Sequence, residues 1–486
     1  MEERLLSLQA PPPDDVFVPA PPQPARWWVL SLYGVLSAVQ SLLWISYSSV
    51  PALSQDFFST PPDTLSLWLD WGPVAFCLTV LPALWLLHRS RAGLRVSIRL
   101  GLTLCALSAA LRLVPAWLPR SQRGSAASLA ITHIAQFLNG AVAPLAVASP
   151  SYLSLVWFAD GERNLATALA NTSNALGRAV GFFLGPLLVR TAEDLPTLLY
   201  VTFACAAVPC AAAWAYLPAV PASPPSGAAA LEARRWGAGK GAPTTVVAGG
   251  AVEAEASLSQ LGLRGALAQA RAACASPSFL LASVGGGVVM AFYGAWSGVL
   301  TAALTPPQGP LTDDQAGLLG ALVTFAGIAG GALAGWATDR PPLRRALRGV
   351  LGALAVASAL LFLPLALALP PLSGVFGGGN SGGSGAPAWL SYPLVVGLCT
   401  LGGALRGGMD PLYFELAAET AWEAGAGADV SGAVLTFVYH VLLCCVLSVP
   451  AKQLLVVVLP GMPLCLALGA LLLFPVVVNY TRRAEL

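Results

Sequence analysis

Arg406 and Asp410 stand four residues apart inside an apolar run, and Glu415 and Glu419 repeat the spacing a little further on. Residues four apart share a face of a helix, so the first pair can neutralise itself and the second sets two carboxylates in repulsion. Repulsion favours proton uptake by one of them. The plainer alternatives are an ion pair that only fixes packing and a solvated helix end. His133 and His440 also fall inside apolar stretches, where a neutral imidazole can relay protons or simply be packed and hydrogen-bonded. Asp70, Arg112 and Arg178 complete the ionisable side chains at depth. Such groups are costly in a bilayer and tend to face a bundle interior or a water-filled path. Glu415, Glu419, His133, His440, Arg406 and Asp410 are therefore the candidates for proton coupling or gating.

Aromatic side chains offer a second chemistry. Trp44 and Tyr47 in SLLWISYSSV, and Tyr293 and Trp296 in MAFYGAWSGVL, sit at matching places in two apolar stretches. Aromatic faces can stack on a planar ring or hold a quaternary ammonium. With Asn174 they form the expected substrate-binding set: Trp44, Tyr47, Asn174, Tyr293 and Trp296. Catalytic and metal chemistry find no support. The nine cysteines lie mostly in apolar runs without CxxC or Cys/His spacing, so no metal site is expected. HExxH is absent, and GNSGG near residue 380 lacks the strand, helix and histidine that a nucleophile elbow needs. The chain is read as non-enzymatic and without a cofactor.

The elements that must hold these residues follow from composition. Of 486 residues, 56% are hydrophobic and 10% charged, with a mean hydropathy of +0.72, which places the chain in a bilayer. A net charge of +2 without a basic run excludes nucleic-acid binding. About twelve stretches reach the roughly 20 residues a spanning helix needs. They group as six, a gap, then six, the first spanning 27–50, the tenth 391–420 and the last 454–478.

The expected fold class is an all-α membrane protein of twelve transmembrane helices in two six-helix bundles. Its divisions are an N-terminal tail (1–26), a first bundle (27–219), a linker (220–275), a second bundle (276–478) and a tail (479–486). Eighteen of the 25 Lys and Arg residues fall on the side of the termini and four on the other, so both termini are expected in the cytosol. Basic loops after the second and eighth spans occupy equivalent places, as parallel repeats would. Gly177, Gly181 and Gly185 in the fifth span and Gly327, Gly331 and Gly335 in the eighth form two ridges expected to meet across the halves. Pro411, beside Gly407 and Gly408, is expected to break the tenth helix.

The stretches RWWVLSLYGVLSAVQSLLWISYSSV, HIAQFLNGAVAPLAVASPSYLSLVWFADGERNLATALANTSNALG, GAWSGVLTAALTP and PLYFELAAET resemble solute carrier family 49, the feline leukemia virus subgroup C receptor-related transporters of the major facilitator superfamily. The resemblance is strongest to the lysosomal member. It implies alternating-access movement of a small organic solute, a pyridoxine-like vitamin or a choline- or ethanolamine-like cation, with coupling to protons. Export of haem or another porphyrin, and a receptor or scaffold that transports nothing, are the alternatives.

In the choline-carrying relatives a Trp of the first span and a Tyr of the seventh line the site, and Trp44 and Tyr293 occupy those places. Ala175 stands where those relatives carry glutamine. Glu415 and Glu419 match the family pattern FELxxE, whereas Arg178, Arg406 and Asp410 have no counterpart in it. EERLL at residues 2–6 resembles an acidic dileucine signal, which suggests a lysosomal or vacuolar membrane, with the plasma membrane as the alternative. The expected partners are a small-molecule substrate, protons and membrane lipid, for a monomeric chain.

Overall fold

The computed structural model describes residues 23–478, except 148, 160–161, 227–228, 231–232, 234–256, 306–308, 339, 341–342, 344–345, 370–388, 423, 425 and 427. The dileucine-like stretch, much of the linker and the glycine-rich loop after the ninth span lie outside the described residues.

Among the described residues, twelve long helices make up the fold. They are α1 (Ala25–Ile45), α2 (Pro62–His88), α3 (Gly93–Leu113), α4 (Ala126–Val147), α5 (Arg163–Leu188), α6 (Leu195–Ala215), α7 (Pro277–Leu304), α8 (Asp313–Thr338), α9 (Leu347–Ala368), α10 (Tyr392–Trp422), α11 (Ala428–Leu447) and α12 (Ala451–Leu473). A further helix, Ser257–Cys274, runs between the halves. Nine of the twelve are long and apolar enough to cross a membrane by length and composition, and α12 holds the shorter apolar run Val457–Leu473. The remaining two, α5 and α10, are those that carry Arg178, Arg406, Asp410, Glu415 and Glu419. Prolines in the first turn open α2, α6 and α7, where their missing N–H removes no helical hydrogen bond.

Packing repeats between the halves. In the first, α1 packs on α5, α2 on α4, and α3 on α4 and α6; in the second, α7 packs on α11, α8 on α10, and α9 on α10 and α12. Each pairing recurs six helices later, which makes the halves parallel repeats. The halves meet where α5 packs on α8 and α2 on α11. An even number of crossings brings the start of α1 and the finish of α12 to one end of the molecule, here termed the terminal end. The described side-chain contacts between the halves run from mid-height to the opposite end: Phe76 on His440, Leu69 against Gly298, Phe182 and Pro186 against Gly320 and Gly317, and Arg190 paired with Asp314. At the terminal end, helix Ser257–Cys274 packs on α10, α11 and α2.

Two local expectations are corrected. The glycine ridges do not meet each other. A Cβ on Gly177 would fall 2.6 Å from Ala38 C of α1, and one on Gly407 of α10 would fall 2.6 Å from Gly327 C of α8. Each ridge brings two helices of the same half together, because in hydrocarbon close backbone approach is what holds neighbours. The α5–α8 contact instead uses Gly320, whose Cβ would lie 2.6 Å from Phe182 Cγ. The second correction is that α10 stays helical through Pro411 over its 31 residues. Close packing of the Gly403–Gly408 turns on α8 holds the helix where proline removes a hydrogen bond, as membrane helices allow.

Candidate functional site

The first half contributes a polar wall around α1. Gln40 is buried, and its carbonyl accepts from Asn139 Nδ2 at 3.1 Å. Asn174 of α5 donates to Ser37 O at 3.3 Å and to Gln40 Oε1 at 3.4 Å. Trp44, half-buried one turn beyond Gln40, donates Nε1–H to Leu69 O of α2 at 3.1 Å. The indole lies so close over α2 that a Cβ on Gly72 would sit 2.8 Å from Trp44 Cδ1. Arg178 stands one turn along α5 from Asn174, on the same face.

Across from this wall, Arg406 Nη1 donates to Asp410 Oδ1 at 2.5 Å. The arginine side chain is 3% exposed and the aspartate 44%, so the pair opens to solvent through its carboxylate. The guanidinium lies 4.7 Å from the centroid of the Tyr293 ring of α7. Gly403, one turn earlier on α10, lets α8 come close, since a Cβ there would lie 2.6 Å from Val323 Cγ1, and the Tyr293 Oη lies beside the same turn. Tyr439 of α11 closes the group, with its Oη beside Gly294 of α7. Arg178, Arg406 and Asp410 are all close enough to Tyr293 and Tyr439 to act on them electrostatically. One arginine of the first half thus joins an arginine, a carboxylate and two tyrosines of the second.

Beside this cluster the halves touch through rings. His440 stacks on Phe76 of α2 with centroids 3.5 Å apart and planes 2° from parallel. Its Nδ1 lies 2.8 Å from Thr436 O, which can only accept, so Nδ1 carries the proton. Cys77 and Cys444 lie near each other across the same seam. Asp70 of α2 faces it too, 8% exposed, near Cys444, its Oδ1 without a hydrogen-bond partner among the described residues.

The other expected site residues lie elsewhere. Tyr47 is buried between Phe58 and Trp68, with Arg112 over its ring at 5.2 Å. Trp296 is 2% exposed and packs edge-on against Phe362 of α9. The structure therefore brings Trp44, Asn174 and Tyr293 towards the central group and leaves Tyr47 and Trp296 in the cores of their own halves. His133 accepts Trp71 Nε1–H at 2.9 Å through Nδ1, a contact within the first half. Glu419 is 1% exposed and Glu415 half-buried, so the α10 end is not a solvated one.

Arg178, Tyr439, Phe76 and Asp70 were not among the expected site residues. For Arg178 the signal was present in its i+4 spacing from Asn174; for Tyr439 it was adjacency to His440. For Phe76 nothing in the sequence distinguishes it from any apolar helix residue.

A polar centre lined from two repeated six-helix halves is the arrangement of a membrane transporter. The match of residues 29–445 to the Major Facilitator Superfamily model, with the likeness below, shows that the chain belongs to this superfamily and within it to solute carrier family 49. It is 30% identical over 433 residues to a solute carrier family 49 member 4 homolog of Xenopus laevis, covering 86% of this chain and 82% of the relative. It is 34% identical to the choline/ethanolamine transporter FLVCR1 of Mus musculus over a shorter region, 36% of this chain and 30% of that one. Among solved structures it is similar in fold to a D-xylose-proton symporter, with a TM-score of 0.64 at 12% identity over 94% of this chain and 98% of that one. It also resembles the transporter FucP in the outward conformation, with a TM-score of 0.56 at 15% identity over 93% and 96% of the two chains.

Proposed function

We propose that this transporter moves a small solute with a planar ring, of the size of pyridoxine, between Trp44 and Asn174 on one half and Tyr293 and Tyr439 on the other. The observation that carries the reading is the placement of Arg406 over Tyr293. A quaternary ammonium would need that aromatic face as its cation–π surface, and a guanidinium already occupies it. The relatives named as choline/ethanolamine transporters support solute transport of this general kind and keep the amine class as the second reading. Rocking of the halves about the α5–α8 and α2–α11 contacts exposes the centre alternately to the two sides. The excess of Lys and Arg on the terminal side supports termini in the cytosol, with the linker 220–275 tethering the halves there. The test is uptake of labelled pyridoxine and choline by the purified chain in liposomes, with Trp44→Ala and Tyr293→Ala alongside. Saturable pyridoxine uptake lost in both variants is expected; choline uptake alone selects the amine reading, and uptake of neither refutes both.

A further inference from the structure

We infer that the centre of the molecule prefers ring solutes that carry an anionic group, a carboxylate or a phosphate ester, bound by Arg178 and Arg406. The inference deepens the transport reading and rests on it.

Arg178 and Arg406 contribute two positive charges to the central group and Asp410 one negative. Arginine does not lose its proton in proteins, so the excess cannot be removed by titration. Charge at membrane depth is costly unless a partner meets it. Arg406 meets Asp410 through one terminal nitrogen only, and its buried Nε has no hydrogen-bond partner among the described residues. Arg178, half-buried on the same face of α5 as Asn174, forms no hydrogen bond or ion pair with any described residue. It is nonetheless close enough to act on Tyr293 and Tyr439, the same two rings that Arg406 and Asp410 act on.

Two guanidinium groups from opposite halves, each with unused donors, form a clamp suited to the paired oxygens of a carboxylate or the three of a phosphate. The clamp links binding to the conformational cycle, because an anion held by both would join α5 of one half to α10 of the other. Asp410, more exposed than its partner, keeps an acceptor oxygen for a hydroxyl or ring N–H of the same solute. Tyr293 and Tyr439 supply the flanking ring surface. A cation such as choline would instead meet a guanidinium already seated on the Tyr293 ring.

The test compares ring compounds matched in shape and unlike in charge. The full-length chain in detergent is heated with nicotinate, nicotinamide, pyridoxal, pyridoxal phosphate, choline or inorganic phosphate, and the unfolding midpoint is read; the same compounds then compete in liposome uptake. At equal concentration nicotinate or pyridoxal phosphate is expected to raise the midpoint well beyond its uncharged counterpart, and choline is expected to have no effect. Arg178→Gln should weaken anion binding at least tenfold and remove the difference between nicotinate and nicotinamide. Because Arg178 makes no structural bond, that variant should unfold at the unliganded midpoint of the parent, which separates loss of binding from loss of fold. Arg178→Lys should restore part of the preference. Equal stabilisation by nicotinate and nicotinamide overturns the assignment, and so does a preference that survives Arg178→Gln. An effect of inorganic phosphate as large as that of the ring anions overturns the organic-solute part. Uptake of pyridoxine or choline with no anion effect keeps transport and removes the anion site; an anion effect without any uptake does the reverse.

Discussion

The close approach of α8 and α10 sets the position of Arg406, and replacing one glycine there measures how much the fold depends on it. In Gly330→Ala the new Cβ would lie 2.7 Å from Ala404 C and nearer still to its carbonyl oxygen. The obstacle is backbone, so no side chain can rotate away. The nearer oxygen sets the limit, and restoring the 3.4 Å of ordinary contact to it requires the helices to part by about 1.5 Å, a gap that forfeits roughly half or more of each dispersion well along the seam. Overpacking of this kind costs about 1–3 kcal/mol, against which alanine returns about 1 kcal/mol of helix propensity. The expected net loss is therefore about 0–2 kcal/mol. Gly335→Ala on the same helix provides the control, since nothing lies within 4 Å of its Cβ and only the propensity gain remains. The assay is the thermal unfolding midpoint of purified variants in one detergent, with the parent alongside. Gly330→Ala should melt below the parent and Gly335→Ala at or above it. If Gly330→Ala melts with or above Gly335→Ala, the backbone contact is not what holds α8 to α10, and the placement of Arg406 loses its explanation.

Two further outcomes follow from buried polar groups away from that seam. Arg112 is buried, donates from Nη1 to Leu43 O at 2.8 Å and to Ser46 Oγ at 2.9 Å, and bonds Gln136 Oε1 through Nη2; Arg112→Leu leaves these acceptors unmet at about 1–3 kcal/mol each and should lower the unfolding midpoint well beyond Gly330→Ala, so a midpoint near the parent's would refute the structural role. Asp70→Asn keeps the shape of the side chain and removes its ionisation at the α2–α11 seam; uptake should stop responding to an imposed pH gradient while solute exchange without a gradient continues, and an unaltered gradient response would free Asp70 of any coupling role.

The sequence made the helices legible because spanning a bilayer requires about 20 apolar residues, and the matching basic loops made the two halves legible because orientation follows positive charge. It did not tell which surfaces meet. A glycine ridge reports that some backbone comes close, and nothing in its spacing says whether that backbone is α1 or α8; here Gly177 faces Ala38, and the ridge of α8 faces α10. Pro411 misled for a related reason. Loss of one hydrogen bond breaks a helix in water, whereas a helix clamped along its length by a neighbour has nothing to gain by opening.

The central group was the least legible feature, and topology explains why. Arg406 and Asp410 advertise themselves by an i+4 spacing, but Arg178 lies in the other half and meets them only once α5 and α10 flank the same space. Read locally, Arg406 with Asp410 is a neutral pair with a structural explanation. Read across the halves, the group holds one arginine more than its carboxylate can neutralise, and the imbalance exists only where the two bundles face each other. A transporter needs affinity that depends on both halves being present together, so a charge that neither half can satisfy by itself is where its substrate should bind.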